Sequence, residues 1–254
     1  MELETNVEQR HILGIRGAMG AGKDTLGLLI CKAHREYSVW KFATVLREAL
    51  SIITDIPAER TVSQDDKRHD LSAQSYSELG LLLRIRKAIM YVTGAVSISN
   101  KYGEISFEMF RILTGGEYAA SADVHIPMTV GRALQILGTE CFRELVGGDV
   151  WVRALFRRWV QEGKPSIVIT DVRFREEVDA IYSATSEAGA KGIILEVRRE
   201  TDTAAVADGR SMAHASERGL EKVKADYTFD NDGTIDELGQ KLDAAWPLFA
   251  KLRG

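Results

Sequence analysis

The sequence predicts an α/β fold, a sheet layered between helices, on three observations. Short apolar runs recur as Ile12-Leu13-Gly14-Ile15, Ile167-Val168-Ile169-Thr170 and Ile193-Ile194-Leu195-Glu196-Val197, which is how parallel strands buried on both faces read. Segments with helical apolar spacing follow these runs, so strand and helix alternate as a crossover-connected sheet requires. The first run opens directly into the glycine-rich stretch Gly17-Ala18-Met19-Gly20-Ala21-Gly22-Lys23-Asp24-Thr25.

That stretch is suited to wrapping backbone around a polyphosphate. Glycines allow positive φ and let main-chain N–H groups approach phosphate oxygens, while the helix starting at Thr25-Leu26-Gly27 points its positive end at the same anion. Lys23 neutralises charge on the outer phosphates. The pattern Gly-x4-Gly-Lys-[Ser/Thr] is met with one departure, because Asp24 follows the lysine and the hydroxyl arrives one residue late at Thr25. Asp24 would then hold Mg²⁺ through water, and Thr25 would meet a phosphate.

The remaining elements follow in order. Val39-Trp40-Lys41-Phe42 reads as a short strand, and Thr44 to Ile53 as a helix through Val45, Leu46, Ala49 and Ile53. Thr54 to Ser77 is polar and charged and reads as a connection. Ser75-x-x-Glu78 resembles a capping box opening a helix through Leu79, Leu82, Leu83, Ile85, Ile89 and Met90. Its Arg84, Arg86 and Lys87 form a solvated face or one turned to substrate phosphate. Within Gly94 to Val130, alternation at Ile105, Phe107 and Met109 suggests a strand. Arg132 to Val146 returns to a helix, and Asp149 precedes another beginning at Trp151. Val178, Ile181, Tyr182 and Thr185 mark the helix after Asp171. Tyr227-Thr228-Phe229-Asp230 is the last strand, and Thr234-x-x-Glu237 caps a final helix through Ile235, Leu238, Leu242, Ala245, Trp246 and Phe249, which Pro247 should end or kink.

Composition bounds the reading. With 254 residues, 45% apolar and 28% charged, the chain supports one domain, residues 1–254, carrying an inserted subregion. A net charge of -4 gives no global attraction to nucleic acid or to an anionic membrane. Cys31 and Cys141 lie in helical apolar patterns outside any metal or redox spacing and read as reduced core thiols. Met1 to Arg10 is polar and acidic, without an apolar signal core, and no apolar stretch reaches membrane-span length. A cytoplasmic protein acting on small molecules is expected.

Acids and arginines mark the chemistry. Asp171, at the carboxyl end of a buried strand, stands where ligands gather in open α/β sheets and could hold the water shell of Mg²⁺, or could cap the next helix. Arg173 could grip an acceptor phosphate bidentately. Arg198, Arg199 and Arg210 could neutralise charge on a moving phosphoryl group, or could be surface side chains after a strand. His214 has no partner pattern, and a structural or solvent role fits it better than acid–base work.

Taken together, Gly17 to Thr25, Arg132-x-x-Gln135-x-x-Gly138-Thr139 leading to Trp151, Asp171-Val172-Arg173, and His214-x-Ser216-Glu217-x-Gly219-Leu220 followed by Asn231-Asp232-Gly233 resemble the bacteriophage-type deoxynucleoside monophosphate kinases. Aspartate after the loop lysine is a habit of that family. The resemblance implies ATP-dependent phosphorylation of dNMP to dNDP with Mg²⁺, on a three-layer P-loop kinase fold with a five-stranded parallel sheet. It also implies a monophosphate-binding insertion over about residues 54–130 and an arginine-bearing lid over about 198–215. By carry-over, Gly17 to Thr25 hold ATP, Asn231, Asp232 and Gly233 lie near adenine, and Arg132, Gln135, Thr139, Trp151 and Arg173 face the dNMP. On their own chemistry Gln135 could equally be a buried cap and Trp151 a core residue. Another small-molecule kinase, or an ATP-operated switch moving Glu200 to Ala213, stays open, as does a homodimer.

Overall fold

The computed structural model describes residues 11–116, 123–187, 191–199 and 223–251. They fall into two compact units, one running up to Lys41 and resuming at Arg158, the other Phe42–Arg157. The first begins with β1 (His11–Arg16), α1 (Lys23–Ala33) and β2 (Tyr37–Trp40). The chain then builds the second unit from α2 (Phe42–Thr54), the short α3 (Gln64–Lys67), α4 (Glu78–Thr93), α5 (Asn100–Thr114) and α6 (Val130–Ile136). A π-helical segment (Leu137–Arg143) continues α6, and α7 (Val150–Gln161) leads back to the first unit. There β3 (Ser166–Ile169), α8 (Arg175–Glu187), β4 (Lys191–Arg198), β5 (Tyr227–Asp230) and α9 (Ile235–Lys251) complete the fold.

The five strands form one parallel sheet in the order β2-β3-β1-β4-β5. All six residues of β1 are buried, because helices cover both faces; this is why its sequence is an apolar run without alternation. Leu13 pairs with Val168 on one side and Ile193 on the other. The crossover after β1 travels towards β2, whereas the one after β3 travels towards β4. Neighbouring strands whose connections diverge in this way leave a crevice at their carboxyl ends, where open α/β sheets bind ligands. The glycine-rich loop and Asp171 to Arg173 lie there.

Each unit has its own core. In the first, Leu13, Ile15, Leu26, Ile30, Val168, Leu195 and Val197 pack with Phe229 and with Leu238, Leu242, Ala245 and Phe249 of α9. Phe249 stands edge-on to Tyr227 and Trp246, with ring centroids 5.5 and 5.7 Å apart. The helix continues past Pro247, against the sequence expectation. Pro247 is exposed, so the carbonyl it deprives of a partner can turn to water, and fully buried Phe249 anchors the last turn. Thr234 and Glu237 form the expected reciprocal cap, with backbone-to-side-chain bonds of 2.7 and 3.2 Å.

The core of the second unit gathers Val45, Leu50, Ile53, Leu81, Ile85, Ile89, Met109, Phe110, Leu113, Leu137 and Phe142. Three local expectations change here. Residues 105–109 lie in a helix, not a strand. Ile105, Met109, Phe110 and Leu113 are buried at helical spacing while Phe107 is exposed, and Ser99 and Gly115 cap the two ends. The cap of α4 is Ser77, whose hydroxyl accepts from the Gly80 N–H at 3.1 Å, rather than Ser75. Its buried stripe is Leu81, Ile85, Ala88, Ile89 and Val92, with Leu79 and Leu83 outside. The 54–77 connection carries a 3₁₀ turn (Ala58–Thr61) and α3, closed by a Ser63–Asp66 capping box. Cys31 and Cys141 are free thiols, and burial pushes Cys141 up to about 12. Among the described residues no helix is long and apolar enough to cross a membrane.

Truncating Phe249 to Ala should cost about 3–5 kcal/mol of stability, read as a lower urea midpoint. An unchanged midpoint would mean that α9 does not anchor the sheet.

Candidate phosphate-binding site

β1 ends in a loop that only glycine can form at two of its positions. Gly17 has φ +147°, and a Cβ there would run into the Val197 carbonyl oxygen of β4. Gly22 has φ +106° and caps α1, with its missing Cβ replaced by the amide of Asn231. No side chain caps α1, so the N–H groups of its first turn are left to an anion, with the helix dipole behind them. The Lys23 ammonium folds over the loop and donates to the carbonyls of Gly17 and Ala18, each at 2.6 Å. A cation and a row of donors are thus concentrated within one turn of chain. Gly27 lets α1 sit tightly on the sheet, since a Cβ would meet the Thr170 methyl at 2.5 Å.

Asp24 opens α1, and its Oδ1 accepts from Thr170 Oγ1 at 2.6 Å and from Lys41 Nζ at 2.7 Å. Partial burial opposes its ionisation, but the hydrogen bonds from Lys41 and Thr170 and the charges of Lys41 and Lys23 outweigh it and hold the carboxyl below its ordinary range. Asp171, half-buried, directly follows Thr170 after β3. These hard oxygen donors fit Mg²⁺. Among the described residues no three acidic, His or Cys side chains cluster as a metal cage.

Arg173 sits on the turn leaving β3, with its side chain exposed. Buried Glu177 fixes that turn, accepting from the Arg173 and Phe174 backbone N–H groups at 2.7 and 3.1 Å. Two arginines end β4. Arg198 is exposed and pairs with Glu196 at 2.7 Å, whereas Arg199 Nε donates to the Asn231 carbonyl at 3.1 Å. Asn231, 7% exposed, donates its amide to the Ala21 carbonyl at 2.7 Å. It therefore holds the glycine-rich loop from beneath, and Asp232 and Gly233 continue from it towards α9. Arg210, His214 and most of the expected lid lie outside the described residues.

The second unit holds the remaining candidates. Arg132, Gln135 and Thr139 are exposed and spaced by three and four along α6 and its continuation, hence on one face. Arg132 pairs with Glu140 at 3.5 Å. Trp151 is buried, with its ring centroid 4.9 Å from that of Phe142 and its indole N–H donated to the Gly138 carbonyl at 3.1 Å. The structure gives it a core position, where its polar edge serves the backbone of the π-helical segment. Reading the sequence did not find Lys41, Thr170, Glu177 or that π segment. Lys41 and Thr170 each follow a strand directly, which was the available signal.

A family model described as "Deoxynucleotide monophosphate kinase" matches residues 11–242. No curated protein matches the chain. Among solved structures, the Mycobacterium tuberculosis APS kinase in complex with AMPPNP and APS is similar at 11% identity and a TM-score of 0.39, covering 94% of this chain and 98% of that one. An unliganded sugar kinase from Janibacter sp. is similar at 10% identity and a TM-score of 0.36, covering 92% and 93%.

Glu177→Ala should remove the acceptor of two part-buried N–H groups, at about 1 kcal/mol each. Hydrogen exchange at the Arg173 and Phe174 amides should accelerate. Protection equal to wild type at both would remove Glu177 as the brace of that turn.

Proposed function

Because the chain belongs to the deoxynucleotide monophosphate kinase family, we propose that this kinase transfers the terminal phosphoryl group of ATP to a deoxynucleoside 5′-monophosphate, giving ADP and the deoxynucleoside diphosphate. The observation that carries the donor half is the uncapped start of α1 beneath a glycine loop, with the Lys23 ammonium held within it. Gly17 to Thr25 embrace the triphosphate. Asp232 and Gly233, led out from the Asn231 anchor, border the adenine.

The acceptor needs little activation. A phosphate monoester has a second pKa near ~6, so at neutral pH its oxygen is already a dianionic nucleophile and no general base is required. The task is to bring two polyanions into line and to neutralise the charge spread over the moving group. Lys23 meets the donor's outer phosphates, and Arg173, braced by Glu177, grips the acceptor phosphate with the planar fork that suits it. Arg198 and Arg199 add positive charge from the end of β4. In the second unit, Arg132 and Gln135 of α6 and Thr139 of its π-helical continuation are the candidates for reading a nucleotide, Gln135 with a donor and an acceptor matched to a base edge. Asp24 and Asp171 would hold the water shell of a Mg²⁺ ion bound with ATP, which would supply neutralisation of charge on the phosphate oxygens. The enzyme works on these small molecules in the cytoplasm.

ADP release measured across the four dNMPs and their ribose counterparts tests the acceptor class; turnover confined to other phosphorylated or alcohol acceptors would overturn it. Lys23→Ala should abolish transfer and leave the circular dichroism spectrum unchanged, and retained turnover would count against the loop mechanism. Arg173→Lys should raise KM for dNMP or lower kcat by about 100-fold or more while ATP affinity by calorimetry stays as in wild type. Equal losses in both would refute its acceptor role.

A further inference from the structure

The carboxylate at Asp24 presents a physical difficulty. It places a negative charge in the first turn of α1, beside the same N–H groups that are to receive a polyphosphate. Two side chains answer it from the sheet. Trp40 and Ile169 are partners in the β2–β3 register, so the next residues, Lys41 and Thr170, leave the sheet side by side at its carboxyl edge. The Thr170 N–H donates to the Trp40 carbonyl at 3.2 Å and keeps the two strand ends together. From there the Lys41 ammonium and the Thr170 hydroxyl converge on one atom, Oδ1 of Asp24, at 2.7 and 2.6 Å.

We propose that Lys41 and Thr170 are positioning residues that cancel the charge of Asp24 and fix its orientation, so that a carboxylate can serve where the loop pattern has a hydroxyl. The inference rests on the kinase reading above. A lone exposed ion pair would contribute little. Here the Asp24 side chain is 64% exposed and that of Lys41 27%, so the geometry comes from Thr170, only 1% exposed, and Lys41 supplies the charge balance. Lys41 thus supplies Asp24 with a cation other than Lys23, the residue before it in the loop. Both bonds fall on Oδ1, and among the described residues none falls on Oδ2, the oxygen available to a hydrated cation.

Calorimetric ATP binding, with Mg²⁺ and with EDTA, separates the two roles without using turnover. Lys41→Met should weaken ATP binding in EDTA by on the order of tenfold and lose less with Mg²⁺. Lys41→Arg should restore it, and so should adding Asp24→Asn to Lys41→Met. Thr170→Val should bind ATP as wild type in EDTA but need about threefold to tenfold more Mg²⁺ to reach its full affinity. Wild-type affinity in Lys41→Met under EDTA, or no recovery in the Asp24→Asn double variant, would overturn the proposal. Its failure is distinct from failure of the kinase reading, which would appear as absence of ADP formation with every dNMP while the binding results stood.

Discussion

A strand hydrogen-bonded on both edges and buried on both faces has no freedom to slip, and β1 is such a strand. Its register with β3 and β4 fixes where its carboxyl end lies relative to theirs, and the glycine-rich loop, Asp171, Arg173, Arg198 and Arg199 all follow those ends. The loop of Gly17 to Gly22 needs that precision, because its backbone passes so close to the Val197 carbonyl and the Asn231 amide that neither neighbour leaves space for a side chain. A shift of one residue in the pairing would move Thr170 from Asp24 and Asn231 from Ala21 together.

The electrostatics are arranged around repulsion as much as attraction. The proposed reaction would bring two polyanions to one place, and the chain itself carries excess negative charge. Local cancellation resolves the conflict. Glu196 pairs with both Arg16 and Arg198 at 3.4 and 2.7 Å, Lys41 pairs with Asp24, and Glu177 accepts from two backbone N–H groups. Arg173 is exposed on the turn that Glu177 braces.

The parallel sheet was legible because strands covered on both faces are uninterrupted apolar runs, and the loop because few environments other than an anion reward that many glycines before a lysine. The second unit was harder. Its helices are amphipathic, so a short stretch such as Ile105, Phe107, Met109 fits a period of two as well as the helical period that Ile105, Met109, Phe110 and Leu113 obey. The caps at Ser99 and Gly115 were the better guide. Neither the Lys41–Asp24 pair nor the brace at Glu177 could be read, since the first joins residues from separate elements and the second depends on a turn geometry that side-chain type does not encode. Trp151 shows the same limit. An indole suits a nucleobase or a core equally well, and only its bond to Gly138 decides which it meets here.

The π-helical segment at Leu137–Arg143 accommodates one residue more per turn than the helix before it, equivalent to an insertion swallowed without a loop. Such an addition advances the downstream side chains by roughly 100° about the axis. Cys141 and Phe142 keep their places in the interior, whereas Arg132 and Gln135 belong to a helix whose phase was set separately. Exposed Arg132 and Gln135 before the segment and buried Cys141 and Phe142 within it therefore need not obey one helical phase.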